Sequence, residues 1–225
     1  MNKELKILLD NSKLDQLYNN NLFSIKSICE LLGNWDQYSS EEKFKLENIT
    51  QRDSRINKHF TYNGDYNDTL VYSEILRTGV NTIIDKINRY KKPTEKDVFV
   101  DVGSGCGKLV IHTAISTNIK TLVGVELLTQ RYNYAKYIKD KIISDDKSVF
   151  FINKDIKEFD LSVATIVFMN DLFFSERVVL DIYESLSKGC HFILSTKIDE
   201  CKIMKEEFNV DVSWGGQLKL YYYIK

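Results

Sequence analysis

The sequence lacks several features that would mark a membrane, secreted or metal-binding protein. Its 225 residues contain no apolar run that approaches the roughly 20 residues of a membrane-spanning helix. The N-terminal residues lack the apolar core of a signal peptide. The four cysteines show no C-x-x-C or Cys/His metal-ligand spacing. We therefore expect an intracellular protein with free thiols, no bound metal and no membrane partner.

A strong charge imbalance is absent as well. The 31 basic residues nearly balance the 32 acidic ones, and the net charge is −1. This composition gives no overall electrostatic signal for nucleic acid, although residues 86–92 form a local basic cluster that is a candidate DNA contact. With 43% hydrophobic residues, the chain has enough apolar material for one α/β domain with an N-terminal addition.

The most informative stretch is an apolar run followed by closely spaced glycines. Residues 97–109 read D-V-F-V-D-V-G-S-G-C-G-K-L, in which a strand-like segment leads into a glycine loop and then a helix-like segment. Glycine lets the backbone approach a ligand closely. A second acid, Glu126, ends the next strand-like run, where a carboxylate that binds ribose belongs. This order predicts a nucleotide-type cofactor at the ends of two neighbouring strands.

The spacing of the glycines bears on which cofactor binds. Gly103, Gly105 and Gly107 follow Asp101 as G-x-G-x-G, whereas dinucleotide sites usually have G-x-G-x-x-G, and no P-loop motif is present here. The pattern resembles the first motif of class I methyltransferases, which bind S-adenosylmethionine (SAM). SAM has no phosphate; its ammonium needs an acid and its ribose a carboxylate acceptor such as Glu126. A nucleotide fold of another kind stays open as the alternative.

The first part of the chain is predicted to be helical. Leucine and isoleucine recur at helical spacing through residues 1–60, and a polar, aromatic loop follows at 59–68. Another helix is expected to run to Tyr90, closed by Pro93, the only proline. We predict an N-terminal helical region with a loop at 1–66 and a catalytic domain at 67–225. The loop is a candidate cover for a bound cofactor, or an ordinary linker.

From Val98 onward, strands and helices alternate. The predicted strands are 98–102, 121–125, 148–152, 163–169 and 190–196. The predicted helices are 107–117, 128–142, 175–188 and 198–207. Residues 209–224 are predicted to form two strands about a glycine turn. The predicted fold class is α/β: a Rossmann-like class I methyltransferase fold with a seven-stranded, mostly parallel sheet, a C-terminal antiparallel hairpin and an N-terminal helical extension.

Two further groups follow the third and fourth predicted strands. Asp155 could accept a hydrogen bond from an adenine amino group while the Ile156 N–H reaches a ring nitrogen; the alternative is an acid that starts a helix. Residues 170–174, N-D-L-F-F, place polar and aromatic side chains where ligands bind in open α/β sheets.

Here the chain resembles a known family. Residues 170–174 look like the N-N-F-A-F segment of the disruptor-of-telomeric-silencing family, the non-SET histone-lysine methyltransferases. Residues 97–107 match its D-L-F-V-D-L-G-S-G-V-G loop, and 71–74, V-Y-S-E, match its V-Y-G-E. The C-terminal S-W-G-G at 213–216 with Tyr221-Tyr222 matches its S-W-T-G and Y-Y. The resemblance covers roughly residues 60–225.

The resemblance implies a role for each matching residue. It implies a SAM site formed by Tyr72, Glu74, Asp101, Gly103, Gly105, Gly107, Glu126, Asp155 and Ile156. It implies that Asn170 lies beside the transferring methyl group, and that Phe174, Trp214 and Tyr221 wall a lysine channel. It also implies a core histone or nucleosome as partner and the nucleus as location, as for a chromatin regulator; with a substrate other than a histone, we expect a cytoplasmic location.

Other interpretations of these residues and of the whole chain remain. Trp214 and Tyr221 could be core or edge residues of the last strands, Phe174 a packing residue, and His112 a structural histidine. The chain could also be a class I methyltransferase for a non-histone protein, a nucleic acid or a small molecule. A third hypothesis is a module that binds SAM without catalysis.

Overall fold

The structure is a computed structural model that describes residues 3–18, 75–143, 146–172, 174–198, 203–213 and 216–225. The predicted loop at 59–68 and the predicted domain boundary at 66/67 lie outside the described residues. So do three of the predicted site residues, Tyr72, Glu74 and Trp214.

Within the described residues, the centre of the molecule is a seven-stranded sheet in the order β3-β2-β1-β4-β5-β7-β6. The strands are β1 (Val98–Val102), β2 (Thr121–Glu126), β3 (Ser148–Asn153), β4 (Ile166–Met169), β5 (His191–Leu194), β6 (Met204–Asp211) and β7 (Gln217–Ile224). The first five are parallel, β7 is antiparallel to β5, and β6 is antiparallel to β7. The predicted mostly parallel sheet with a C-terminal hairpin is therefore confirmed.

The strands form where continuous apolar runs can be buried on both faces of the sheet. In β1, Phe99 packs in one core cluster while Val100 and Val102 pack in the other, because successive side chains of a strand point to opposite faces. Leu122 and Val123 divide in the same way in β2. A sheet covered on both faces explains why these strands are apolar throughout rather than alternating.

The described helices are α1 (Lys3–Tyr18), α2 (Arg77–Tyr90), α3 (Lys108–Ser116), α4 (Thr129–Ile142) and α5 (Glu176–Ser185). Helix α1 buries Leu14 and Leu17 in the core cluster that α2, α3 and α4 also form. Its Tyr18 hydroxyl lies 2.8 Å from His112 Nδ1 in α3. The helical part of the predicted N-terminal extension that is described here thus packs as part of the same core as the helices of the α/β fold. No described helix is both long enough and apolar enough to cross a membrane.

The predicted helix at 198–207 is wrong, since Met204–Asp211 is strand β6. Strand β6 pairs with β7 and alternates from Phe208 onward, burying Phe208 and Val210, although residues 205–207 are polar. Tertiary pairing overrides local preference here. The predicted strand at 163–169 begins only at Ile166, because residues 161–163 form a 3₁₀ turn.

Candidate functional site

The described site residues cluster at one edge of the sheet. Val102 at the end of β1 pairs with Val125 of β2 and with Met169 of β4, and Met169 pairs with Leu194 of β5. The residues that follow these strand ends therefore lie side by side. This is the carboxyl edge, where open α/β sheets bind their ligands.

The glycine loop folds back onto the end of β2. Gly103 and Ser104 donate their backbone N–H groups to the Val125 carbonyl oxygen at 2.9 and 3.0 Å, and the Gly105 N–H donates to Glu126 Oε2 at 2.8 Å. Gly103 has a φ of +73° and Gly105 one of +55°, which favour glycine. Three loop N–H groups that could cradle a phosphate are thus engaged within the protein. The loop fits a ligand that has no phosphate at this point.

Gly107 has a packing role. It has a φ of +80° and forms the N-cap of α3. A Cβ added there would lie 2.4 Å from Phe151 Cζ and 2.9 Å from the Ala135 Cβ. The absence of a side chain lets the start of α3 pack closely against β3 and α4. Gly107, one of the predicted cofactor-binding residues, therefore has a demonstrable role in packing α3 against β3 and α4.

Two buried acids, Asp101 of β1 and Glu126 of β2, interact beside the glycine loop. Asp101 on β1 is 3% exposed, and burial, together with the nearby Glu126 carboxylate, raises the pKa of Asp101 to about 8. Glu126 is also buried and accepts hydrogen bonds from the backbone N–H groups of Gly105 and Leu128 at 2.8 and 2.9 Å. A nearby phosphate would make ionisation of this pair still less favourable, whereas a nearby cation stabilises its ionised form. Its chemistry fits the positively charged SAM.

Asn153, at the end of β3, is a site residue that the sequence analysis missed. Its Nδ2 donates to the backbone oxygens of Glu126 and Leu127 at 2.9 and 2.8 Å, and its Oδ1 accepts from Thr129 Oγ1 at 2.8 Å. These bonds fix the loop after β2, and with it the Glu126 carboxylate. The signal that could have found it is the polar residue that directly follows an apolar strand.

Asp155 and Ile156 lie just beyond Asn153 at the same edge. Asp155 Oδ1 accepts from the Lys157 N–H at 3.0 Å and so caps the 3₁₀ turn Ile156–Glu158. Ile156 is buried among the residues of the second core cluster. Asp155 therefore does cap a helical turn, as the alternative interpretation proposed, and it uses Oδ1 to do so. Its binding of adenine stays a prediction.

A hydrogen-bonded group joins the ends of β4 and β5. Asp171 is 2% exposed, and its Oδ1 accepts from Ser195 N at 2.6 Å, from Ser195 Oγ at 2.5 Å and from Thr196 N at 2.9 Å. Ser195 Oγ also lies 3.2 Å from Oδ1 of the half-buried Asn170. The sequence analysis singled out Asn170 but missed Ser195 and Thr196, because it assigned both to a strand at 190–196.

Two of the predicted channel walls lie at the same edge. A Cβ on Gly103 would be 3.5 Å from Phe174 Cζ, so the Phe174 ring borders the glycine loop. Tyr221 of β7 pairs with Leu194, the last residue of β5. Phe174 and Tyr221 are both partly buried against the second core cluster. The structure thus places Asn170, Phe174 and Tyr221 beside the carboxyl ends of β4, β1 and β5, respectively.

The residue after one undescribed segment, Ile75, pairs with Val212, which lies just before another undescribed segment. Ile75, directly after Glu74, forms an antiparallel bridge with Val212, and the Leu76 N–H donates to the Asp211 carbonyl oxygen at 2.9 Å. Gly79 permits this approach, since a Cβ there would lie 2.8 Å from the same oxygen. The residues directly after the predicted V-Y-S-E segment, Ile75 and Leu76, are therefore held beside the end of β6, which lies just before the predicted S-W-G-G segment.

The histidines in the described residues are structural. His112 faces Tyr18, and His191 Nδ1 lies 2.8 Å from the Tyr222 hydroxyl. Burial, joined by the charge of Arg77 for His112 and mainly that of Lys91 for His191, lowers the pKa of both to about 4. Across the described ranges, no group of three His, Cys, Asp or Glu side chains could hold a metal ion.

The basic cluster at 86–92 is largely occupied by ion pairs. Lys86 and Arg89 both pair with Glu206 of β6, the latter at 3.6 Å. Lys91 pairs with Asp97 at 3.2 Å. Two acids thus pair with three of the four cations of the cluster, which reduces but does not cancel its positive charge.

A family model matches residues 55–214, and its description is histone methylation protein DOT1. A histone-lysine N-methyltransferase of Caenorhabditis elegans, H3 lysine-79 specific, is 30% identical over 171 residues, which cover 69% of this chain. This chain spans 17% of that relative's length.

Solved structures share the fold. An RNA methyltransferase from Salinibacter ruber, in complex with S-adenosyl-L-homocysteine, has a TM-score of 0.51 and 24% identity, covering 64% of this chain and 90% of that one. A magnesium protoporphyrin IX methyltransferase from Synechocystis PCC 6803, with bound SAM, has a TM-score of 0.52 and 12% identity, covering 73% of this chain and 87% of that one. The predicted Rossmann-like methyltransferase fold is confirmed.

Proposed function

Because this chain belongs to the DOT1 family of histone methylation proteins, we propose that it transfers methyl groups from SAM to a lysine side chain of a core histone. The relative from Caenorhabditis elegans acts on histone H3 lysine 79, so nucleosomal H3 is the first substrate to test. A histone substrate implies action in the nucleus.

The observation that carries the cofactor part of this proposal is the pairing of the glycine loop with β2. The loop N–H groups of Gly103, Ser104 and Gly105 are engaged by the Val125 carbonyl and the Glu126 carboxylate. A diphosphate would meet two buried acids and no available N–H from these three residues, whereas a cationic cofactor gains from the same acids. This favours SAM over a dinucleotide.

The residues proposed to hold SAM come from three neighbouring strand ends. Asp101 faces the ammonium, Gly103 and Gly105 allow close approach of the backbone, and Glu126 accepts from the ribose hydroxyls. Asp155 and Ile156 bind the adenine. Tyr72 and Glu74, which lie outside the described residues, belong to the same proposed set.

The acceptor side of the proposed reaction uses Asn170 and the aromatic residues Phe174, Tyr221 and Trp214. When bound, SAM supplies a methyl group already activated by its sulfonium charge, so the protein has to position the amine rather than activate a nucleophile. A narrow aromatic channel removes water from the lysine ammonium and lowers the pKa of the amine, and the ring faces tolerate its remaining charge. The amine proton passes to water before attack.

The test is a methyl-transfer assay with tritiated SAM on nucleosomes, free core histones, RNA and a small-molecule extract. We expect label on a histone lysine, and loss of that label with Asn170→Ala. Asn133→Ala is the matched control, since Asn133 is exposed on α4. Label on RNA or metabolites alone would contradict the histone assignment. Binding of SAM without transfer to any substrate would support the non-catalytic module instead.

A further inference from the structure

Asn170 is held by a network that the proposed reaction has not yet used. Asp171 and Ser195 follow β4 and β5, which are adjacent and parallel, so that their side chains meet beside Asn170. Asp171 is 2% exposed and Ser195 is 8% exposed. We propose that Ser195 and Asp171 are positioning residues that set the orientation of the Asn170 side-chain amide.

The proton of the Ser195 hydroxyl is committed to Asp171. Asp171 Oδ1 accepts from two backbone N–H groups, those of Ser195 at 2.6 Å and Thr196 at 2.9 Å, so this oxygen is an acceptor. The Ser195 hydroxyl donates to the same oxygen at 2.5 Å, which is shorter than its 3.2 Å contact with Asn170. A hydroxyl has a single proton, so Ser195 cannot also donate to Asn170.

The remaining valences of Ser195 Oγ then determine which end of the amide faces it. Oγ already accepts from the Asp171 N–H at 3.0 Å and has a second lone pair. The Asn170 side-chain atom 3.2 Å away, which is placed as Oδ1, must therefore be a donor, so we exchange the two ends of the amide and assign Nδ2 to this position. The two ends of an amide have nearly the same shape and are told apart by their partners. Asn170 thus presents Nδ2 to Ser195 and turns its carbonyl oxygen away from it.

This orientation matters for methyl transfer, and that step rests on the proposed function. A lysine amine that attacks a methyl group must be neutral, and it then carries N–H groups and one lone pair. A carbonyl oxygen accepts an N–H and so aims the lone pair, whereas an NH₂ group in its place would compete for that lone pair. Ser195 and Asp171 select the productive end of the amide without touching the substrate.

The kinetic test compares Ser195→Ala with Ser195→Thr. Loss of the hydroxyl should lower kcat by roughly 10- to 100-fold while the KM and Kd for SAM stay unchanged, because the hydroxyl contacts Asn170 and Asp171 and is bonded to none of the residues proposed to hold SAM. Ser195→Thr keeps the hydroxyl and should recover most of kcat. Ser185→Ala is the control: Ser185 Oγ donates to the Ile182 carbonyl within α5, away from the site. If threonine is no better than alanine, or if SAM affinity falls in parallel with kcat, the role is structural and the proposal fails.

Two further measurements separate this proposal from the proposed function. In the Asn170→Ala background, Ser195→Ala should change the residual kcat by no more than Ser185→Ala does, because Ser195 is proposed to act only through Asn170. If Ser195→Ala lowers kcat in this background as much as it does in the wild type, the proposal is contradicted. A neutron crystal structure of the wild type in D₂O should show the ND₂ group of Asn170 facing Ser195, and a carbonyl oxygen there overturns it. Lack of methyl transfer by the wild type would contradict the proposed function alone, and the neutron map would still decide the amide orientation.

Discussion

Replacing Asp101 by asparagine removes the charge of the buried acid at the end of β1 and should change how cofactor binding depends on pH. Burial and Glu126 raise the pKa of Asp101 to about 8, so the free protein carries it mostly protonated at neutral pH. A cationic ligand stabilises the ionised form. Binding of SAM to the wild type is therefore coupled to release of a proton from this side chain.

The size of the effect follows from the ionised fraction. With a pKa of about 8, Asp101 is about 9% ionised at pH 7 and about 1% ionised at pH 6. If the ionised form is the one that binds, the apparent Kd at pH 7 is about 11-fold, and at pH 6 about 100-fold, above its limiting value at high pH. In Asp101→Asn this dependence is absent. The affinity advantage of the wild type should thus grow about ninefold from pH 6 to pH 7 and about 5.5-fold from pH 7 to pH 8, and then level off.

Calorimetric titration with SAM over pH 6–9 measures this directly. The ratio of the two dissociation constants cancels the titration of the ligand itself, since both proteins meet the same ligand. Buffers of different ionisation enthalpy count the released proton, which should be about 0.9 per site at pH 7 in the wild type. Asp181→Asn, on the exposed face of α5, is the control and should behave as the wild type does. A constant ratio across the range would refute the coupling.

Three further predictions concern stability and are checked by urea unfolding. Gly107→Ala should cost about 1–3 kcal/mol more than Gly189→Ala, because both have positive φ but only the Gly107 Cβ would overlap a neighbour. Gly79→Ala should destabilise although alanine favours helix by about 1 kcal/mol, since its Cβ would lie 2.8 Å from a carbonyl oxygen of β6. His112 has a folded pKa of about 4 against 6.5 unfolded, so stability should fall as the pH drops from 6.5 to 4, by up to about 1.4 kcal/mol per pH unit. His112→Asn should lose that part of the slope. Equal costs for the two glycine variants in the first pair, a gain for Gly79→Ala, or an unchanged slope would contradict the respective reasons.

The parts of the fold that could be predicted from the sequence are those that depend on local runs. Strands β1 and β2 are buried on both faces, so uninterrupted apolar residues mark them, and the glycines after β1 mark the turn. The acids Asp101 and Glu126 could be singled out because they lie at or next to the ends of such runs. The effect of Glu126 on the pKa of Asp101 requires β1 and β2 to be adjacent. The alternation of strands and helices along the chain already implies that they are.

The parts that could not be predicted depend on partners distant in the chain. Strand β6 has polar residues because Glu206 faces the cations Lys86 and Arg89 of α2, a pairing that no local pattern records. Ser195 was assigned to a strand because the apolar run before it gives no clear end. Only the register between β4 and β5 shows that it lies beside Asp171. A test of paired strand ends, applied to the predicted sheet order, would have found it.

The central claim is that the carboxyl edge of this sheet holds SAM with its reactive sulfur beside Asn170. A crystal structure with S-adenosylhomocysteine tests it most directly. We predict the ammonium at Asp101, the ribose hydroxyls at Glu126, and the sulfur facing the Asn170 amide and the Tyr221 ring. A ligand bound elsewhere, or a ribose that does not contact Glu126, would contradict the claim.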